Sequence, residues 1–369
     1  SQRSDVMNTV MTISKKELVD AIAKVKDIVP SKTTMPVLQS VLVENGYLIA
    51  NDTESSASVK LDVQNEAPFI IPSRAFQLLN AYPDELIEIS VDDKQIQFKS
   101  GRVKNTFAVL DPEQFVRPNI VKENLTKTIS IPAETFIESC QRVSFAISDE
   151  NSNKVMTALC LKASGGYLNY VGLDGHMVAW DRIKEQDGDF ELLIPKKIIT
   201  QLRKFDYKGD IEIAYNAQGV LFYKNDYQVT SRLIEGKFFD VSKMKQEGRL
   251  YTIINKDIFA EALNRIVICM SKEEKKPVIL RFDGDELHLG MKTTMSDASE
   301  TVSMITDIEE PFEIGFNPNL LLKMLKSFDC DEVRLNLISP KAPMMIENTE
   351  TDYLALLLPV NYSGVANNG

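Results

Sequence analysis

One pattern recurs along the 369-residue chain: an apolar strand end, a small, polar or proline residue, then a run with helical spacing. It reads TISKKELVDAIAKV, FIIPSRAFQLLNAY, ISIPAETFIESCQRV, LLIPKKIITQLRKF, TIINKDIFAEALNRIV and EIGFNPNLLLKMLKSF. The anchors Ile13, Ile71, Ile131, Ile194, Ile254 and Phe316 are spaced 58, 60, 63, 60 and 62 residues apart. A fixed period of this length means one supersecondary unit used repeatedly.

Within each run apolar residues fall at helical spacing, as in Leu18, Ile22 and Val25, or Phe136, Cys140 and Val143. The prolines that follow several anchors fit the first turn of a helix, where a missing N–H costs nothing. Between the runs the chain alternates in the manner of strands, punctuated by Asn45-Gly46, Asp92-Asp93, Gly165-Gly166, Asn225-Asp226 and Asp283-Gly284. Each unit is thus one helix with several antiparallel strands, an α+β arrangement. The units alternate in character, and pairing them predicts three similar domains, 7–126, 127–249 and 250–361, followed by a flexible tail at 362–369.

The net charge of −11 argues by itself against a nucleic-acid partner. Its distribution reverses that argument. The six helical runs together carry +8, so the remainder carries −19. Such a chain presents helices to a polyanion and sheets to water. Packed helices lie roughly 8–10 Å apart, so twelve of them closed in a circle leave a bore of roughly 25–30 Å. Six leave only roughly 9 Å. A duplex roughly 20 Å across passes only through the ring of twelve, which two copies supply. The cysteines Cys140, Cys160, Cys269 and Cys330 are scattered and form no CxxC, which fits a reducing cytoplasm and neither a disulfide framework nor a zinc cluster. No apolar stretch is long enough to span a bilayer.

The segments TTMPVLQSV, IPSRAFQLL, SGRVKNTFAVLDPEQF, GLDGHMVAW, TSRLIEGKFFD, EIGFNPNLLLKML and YLALLLPVN, taken in order, resemble the bacterial DNA polymerase III beta subunit family, the DNA sliding clamps. The likeness runs from about Met11 to Asn361. It implies a DNA clamp fold of three domains, each with two helices on antiparallel sheets, closing as a head-to-tail homodimeric ring. It implies sequence-independent binding of double-stranded DNA, no catalysis and no cofactor. The partners implied are the polymerase catalytic subunit, the clamp loader and other proteins that dock through short peptides.

By position, the resemblance assigns DNA contact to Lys32, Arg74, Lys196, Lys197 and Asn317, groups that would touch phosphates without reading sequence. It assigns a partner-peptide pocket to Met156, Leu173, Gly175, His176, Met177, Val178, Phe239, Met244, Met344, Leu356, Leu358, Pro359 and Val360. The methionine share suits a surface that repacks around several ligands. Asn105 and Phe107 are assigned to face Cys269 and Met270 of a partner subunit across paired strand edges. Three departures stand out. Leu173 and Met177 occupy places where the family has threonine and arginine, which makes this pocket more apolar and less cationic. The loop 148–159 carries Asp149 and Glu150 where basic or aromatic groups are usual, so no DNA contact is assigned to it. The tail runs through Asn361 in place of a P-x-R ending, and Tyr362–Gly369 is expected either to be disordered or to fold over the pocket mouth.

The rival reading is an enzyme. Asp174 and His176 lie two apart, within reach of one strand face. Yet no GxSxG, HExxH, Walker or GxGxxG pattern is present, and the two histidines are 112 residues apart, a poor basis for a metal site. A peptide-binding scaffold of the same fold, never loaded on DNA, is the other alternative, and the basic helices oppose it.

Overall fold

The computed structural model describes residues 6–184, 186–245, 247–248, 250–270, 275–306 and 308–362. All six predicted helices form: α1 Lys15–Val25, α2 Phe76–Asn80, α3 Ala133–Ser144, α4 Lys197–Leu202, α5 Lys256–Cys269 and α6 Pro318–Lys326. The residue after each anchor starts them in one of two ways. Ser14, Asn255 and Asn317 cap α1, α5 and α6, their side chains accepting backbone N–H groups of the first turn. Pro72, Pro132 and Pro195 instead end strands, Phe69–Pro72, Lys127–Pro132 and Phe190–Pro195. The sequence placed them in the first turn of a helix; they precede it instead, and the proline that opens an α-helix is Pro318, in α6. All three of those strands lie at the outside of their sheets, where a residue with no N–H leaves no ladder bond unmade. Of the three helices that follow these prolines, α2 and α4 are the shortest of the six, whereas α3 runs for twelve residues.

The chain forms two compact units, residues 1–137 with 197–233, and residues 138–196 with 234–369. The first unit contains a four-stranded sheet and an eight-stranded sheet; the second contains one twelve-stranded sheet. Every pairing in them is antiparallel. In the first unit α1 packs on α2 and on the strands Tyr47–Asn51 and Ser55–Lys60, burying Leu18, Ala21, Ile22 and Val25. Each large side chain so buried contributes about 1.5–3 kcal/mol of transfer free energy. In the second unit α5 packs on α6 and on Asp297–Thr306 through Phe259, Ala262, Leu263 and Ile266.

One connection occurs once in each unit. In the first, Ser55–Lys60 pairs with Tyr227–Arg232, from Ser55↔Ser231 to Val59↔Tyr227. In the second, Met177–Lys184 pairs with Leu354–Leu357, from Met177↔Leu357 to Trp180↔Leu354. Each joins strands far apart in sequence into a continuous sheet, so the sheets do not break where the sequence repeat does. Two strands of the same kinds lack such a match among the described residues. Val103–Ala108 is an edge strand of the four-stranded sheet. Residues 297–303 pair on one side only, with Glu286–Lys292.

Candidate peptide pocket and nucleic-acid-facing residues

The stretch Gly172–Trp180 is a strand end, a turn and a new strand. Asp174 makes the turn. Its Oδ1 accepts from the backbone N–H of His176 at 2.7 Å and of Met177 at 3.0 Å, and its own N–H donates to the Met177 carbonyl. The carboxylate is therefore committed to backbone amides, and His176 is exposed. Gly175 is not demanded by the backbone: a Cβ there would meet open space, and its φ is not in the left-handed region. The tight turn is the work of Asp174.

Beside this turn lies a cavity of about 320 Å³. Val178 and Leu356 face each other across one antiparallel pair, and Met345 faces Leu356 across the next. These three share the sheet face that holds a buried cluster with Leu173, Val241, Phe238 and Leu354. The segment Val241–Met244 closes one side, capped by Asp240, whose side chain accepts from Ser242 N–H at 3.1 Å. That cap places Lys243 and Met244 on the rim. Leu358 closes the other side, its N–H donating to the His176 carbonyl at 2.9 Å. Asn336 also lines the cavity; its amide donates to Glu347 at 2.6 Å, and its Oδ1 has no partner among the described residues.

Of the thirteen pocket residues assigned from sequence, the structure brings together Gly175, His176, Met177, Val178, Met244, Leu356 and Leu358. Six others do not line the cavity. Met344 faces Leu357 on the opposite side of the sheet and is fully buried; the period of two makes Met345 the lining residue. Leu173 lies within the buried cluster, and Met156 packs against it while its sulfur accepts from Asn151. Phe239, 40% exposed, lines a second cavity with Trp180, Tyr167 and Arg182. Pro359 and Val360 lie past the rim, where Val360 N–H donates to the Gly315 carbonyl. Asp174, Lys243, Asn336, Ile338, Pro343 and Met345 line the cavity without having been assigned. Alternation along RLNLIS and PMMIEN groups Asn336 with Ile338 and Pro343 with Met345 on shared faces, and the pairing of Met345 with Leu356 turns that face to the cavity.

The residues assigned to DNA are in three different states. Lys32 and Arg74 are exposed, and the Arg74 guanidinium lies 5.9 Å from the Phe107 ring centre. Lys196 and Lys197 are paired. Lys196 Nζ donates to the Ile147 carbonyl at 2.9 Å and to Asp149 at 2.8 Å, and Lys197 Nζ to Asp52 at 2.8 Å. The Lys196 ammonium holds the Asp149 carboxyl below its ordinary range. Asn317 caps α6, its Oδ1 accepting from Asn319 and Leu320. A residue not assigned, Lys204, is likewise bound to Asp27 and to the Ala23 carbonyl.

At the strand assigned to subunit contact, Phe107 stands edge-on to Phe98 at 6.1 Å, and Asn105 Oδ1 accepts from Tyr82 Oη at 2.8 Å. Cys269 is exposed and Met270 half-buried. Ile268 and Met295, not assigned from sequence, are 73% and 89% exposed, and Ser296 Oγ ties their two segments by donating to the Cys269 carbonyl. No described group of His, Cys, Asp and Glu side chains is arranged to hold a metal ion. Burial pushes the Cys140 and Cys160 thiols up, away from nucleophilic use. No helix of the described residues is long and apolar enough to cross a membrane.

The site is thus a sheet-borne apolar cavity rimmed by a few polar groups. The chain belongs to the DNA polymerase III beta subunit family, matching its N-terminal domain over residues 9–120, its central domain over 130–240 and its C-terminal domain over 245–361. The beta sliding clamp of Pseudomonas putida is 24% identical over 356 residues, covering 92% of this chain and 96% of that protein. That of Bacillus subtilis is 23% identical over 376 residues, covering 95% and 98%. Among solved structures, a Pseudomonas aeruginosa sliding clamp bound to griselimycin superposes with a TM-score of 0.88 at 23% identity, covering 96% of this chain and all of that one. The Thermotoga maritima beta subunit gives 0.88 at 19% identity, covering 96% of this chain. Three clamp domains with helices on antiparallel sheets are therefore the fold, and the family's role is that of a non-catalytic subunit.

Proposed function

We infer that this chain is a DNA sliding clamp: it encircles duplex DNA and tethers the replicative polymerase, conferring processivity without chemistry of its own. We further propose that the working form is a homodimer closed head to tail, with domains at 7–126, 127–249 and 250–361. The observation that carries this is the strand junction present once in each unit, Ser55–Lys60 on Tyr227–Arg232 and Met177–Lys184 on Leu354–Leu357. Val103–Ala108 and residues 297–303 are the left-over halves of a third such junction. Joining them between two copies is heterologous pairing that closes after two steps, and it covers edges that otherwise invite aggregation. Phe107, Asn105, Cys269 and Met270 flank this junction, and exposed Ile268 and Met295 add apolar area to it.

The cavity beside Gly175–Val178 is the docking site for short peptides of the polymerase catalytic subunit, the clamp loader and other DNA-processing proteins. Phosphate contacts come from Lys32 and Arg74, joined by Lys196 and Lys197 when DNA displaces their carboxylate partners. The test is topological. The protein is loaded with its loader on a nicked circular duplex and the circle is then cut. A clamp stays on the circle and leaves the linear product. Retention on linear DNA, or failure to load, refutes the reading.

A further inference from the structure

Past the strand Leu354–Leu357 the chain continues as an arm tied at alternate residues. Leu358 N–H donates to His176 O in the pocket turn at 2.9 Å. Val360 N–H donates to Gly315 O in the strand Phe312–Phe316 at 2.9 Å. Tyr362 Oη donates to Glu313 Oε1 at 2.6 Å. The Tyr362 ring lies directly on Gly315: a Cβ at that glycine would stand 2.6 Å from ring atom Cδ1 and 3.0 Å from Cε1, closer than atoms tolerate. Glu313 and Gly315 belong to one of the two edge strands of the twelve-stranded sheet, and neither lines the cavity. The remainder of the expected tail, 363–369, lies outside the described residues. Its first residue, Tyr362, is fastened at that strand rather than over the pocket mouth.

We propose that Tyr362 is a positioning residue for the peptide pocket: pinning the arm to Glu313 and Gly315 holds Leu358 in place as the pocket rim. This rests on the reading of the cavity as a peptide site. Leu358 is 44% exposed, so packing alone does not fix it. Two backbone bonds, Leu358 to His176 and Val360 to Gly315, hold the arm only by its main chain; the ring and hydroxyl of Tyr362 add a side-chain anchor beyond them that limits fraying of the arm before a ligand arrives. A rim ordered in advance spares the incoming peptide the entropy of ordering it. Gly315 is the complement of Tyr362, because any side chain there displaces the ring.

The experiment measures fluorescence anisotropy of a labelled C-terminal peptide of a DNA polymerase III catalytic subunit on the full chain, with the Leu358 methyl NMR signals recorded without peptide. Y362A and G315A should each weaken binding about tenfold, chiefly through faster dissociation, and broaden the Leu358 methyls. Y362F and E313A remove only the hydroxyl bond and should each cost about threefold, with the double variant no worse than either. E313Q, whose amide oxygen still accepts, should restore wild-type binding. Wild-type-like affinity in both Y362F and Y362A overturns the proposal while leaving the pocket reading intact. Absence of binding by the wild type removes both. If Y362A fails to fold, the Y362F and E313A pair decides: equal, non-additive losses support the proposal, and no loss with unmoved Leu358 methyls refutes it.

Discussion

The pocket beside Gly175–Val178 and the basic residues at the helix starts were both read from the same chain, and they turned out differently. The pocket is built by strand register. Val178, Leu356 and Met345 face one another because antiparallel pairing puts them opposite, and no side-chain choice is left open. The lysines are held by charge. Lys196 and Lys197 each have a carboxylate within 2.8 Å, so the field they present is smaller than a count of lysines suggests. Backbone-determined sites are committed before the ligand comes, whereas exposed ion pairs exchange partners at little cost.

The sharpest way to break the contrast is to spoil the pocket without touching the core. Leu358→Asp places a charge on a rim residue that is not packed inside. Peptide affinity measured by anisotropy should fall about a hundredfold, the cost of leaving a carboxylate against an apolar plug. The melting temperature should stay within about 2 °C. Retained affinity would mean that the apolar cavity is not the docking site. Next in size is Met344→Ala. Fully buried on the other sheet face, it should cost about 2–3 kcal/mol of stability and leave peptide affinity unchanged. Met345→Ala, on the lining side, should lower both. Equal effects of the two on peptide binding would refute the register argument.

That pair also marks where sequence reading stops. The six helices, the strand regions and the α+β class follow from a sixty-residue period that composition cannot mimic. Gly175–Val178 could be assigned together through the resemblance because they are contiguous, but the turn that Asp174 makes there shows only in its hydrogen bonds to His176 and Met177. Met344 was misplaced by one residue because alternation fixes two faces but only pairing partners say which faces the cavity. Lys243 and Pro343 were missed because turns far apart in sequence bring them there. The pairing of Lys197 with Asp52, and of Lys204 with Asp27, spans 145 and 177 residues, and no pattern in either segment announces it. Likewise Ser14, Asn255 and Asn317 all follow an anchor, yet only the folded cap shows that Asn317 is occupied in starting α6.

Freeing the lysines tests the other side of the contrast. In Asp52→Asn with Asp149→Asn, both ammonium groups lose their carboxylate. Association with linear duplex, followed across a salt series, should steepen, and the slope of log K against log salt should grow by up to about two units, nearly one per added phosphate contact. Lys197→Ala in the wild-type background should change the slope by less than about one unit, because that lysine must first leave Asp52. An unchanged slope in the double variant would show that these lysines do not meet phosphate at all.

The smallest expected effect concerns the pair itself. Asp149 is held below its ordinary pKa by its hydrogen bond to Lys196 and then by that ammonium's charge. A carboxyl whose folded value is depressed stabilises the fold above its unfolded value and loses that contribution as pH falls through the folded value. The pair's contribution is therefore complete above about pH 4 and disappears below it. With 88% of the Asp149 side chain exposed, solvent screening leaves only a few tenths of a kcal/mol, too little for thermal melting to resolve. NMR titration of the Asp149 carboxyl carbon resolves it directly. Its midpoint should lie below those of unpaired exposed aspartates and return to their range in Lys196→Ala. A midpoint that does not move would mean that Lys196 is already free in solution and available to phosphate, and the difference between the two regions would narrow to the lysines bound by Asp52 and Asp27.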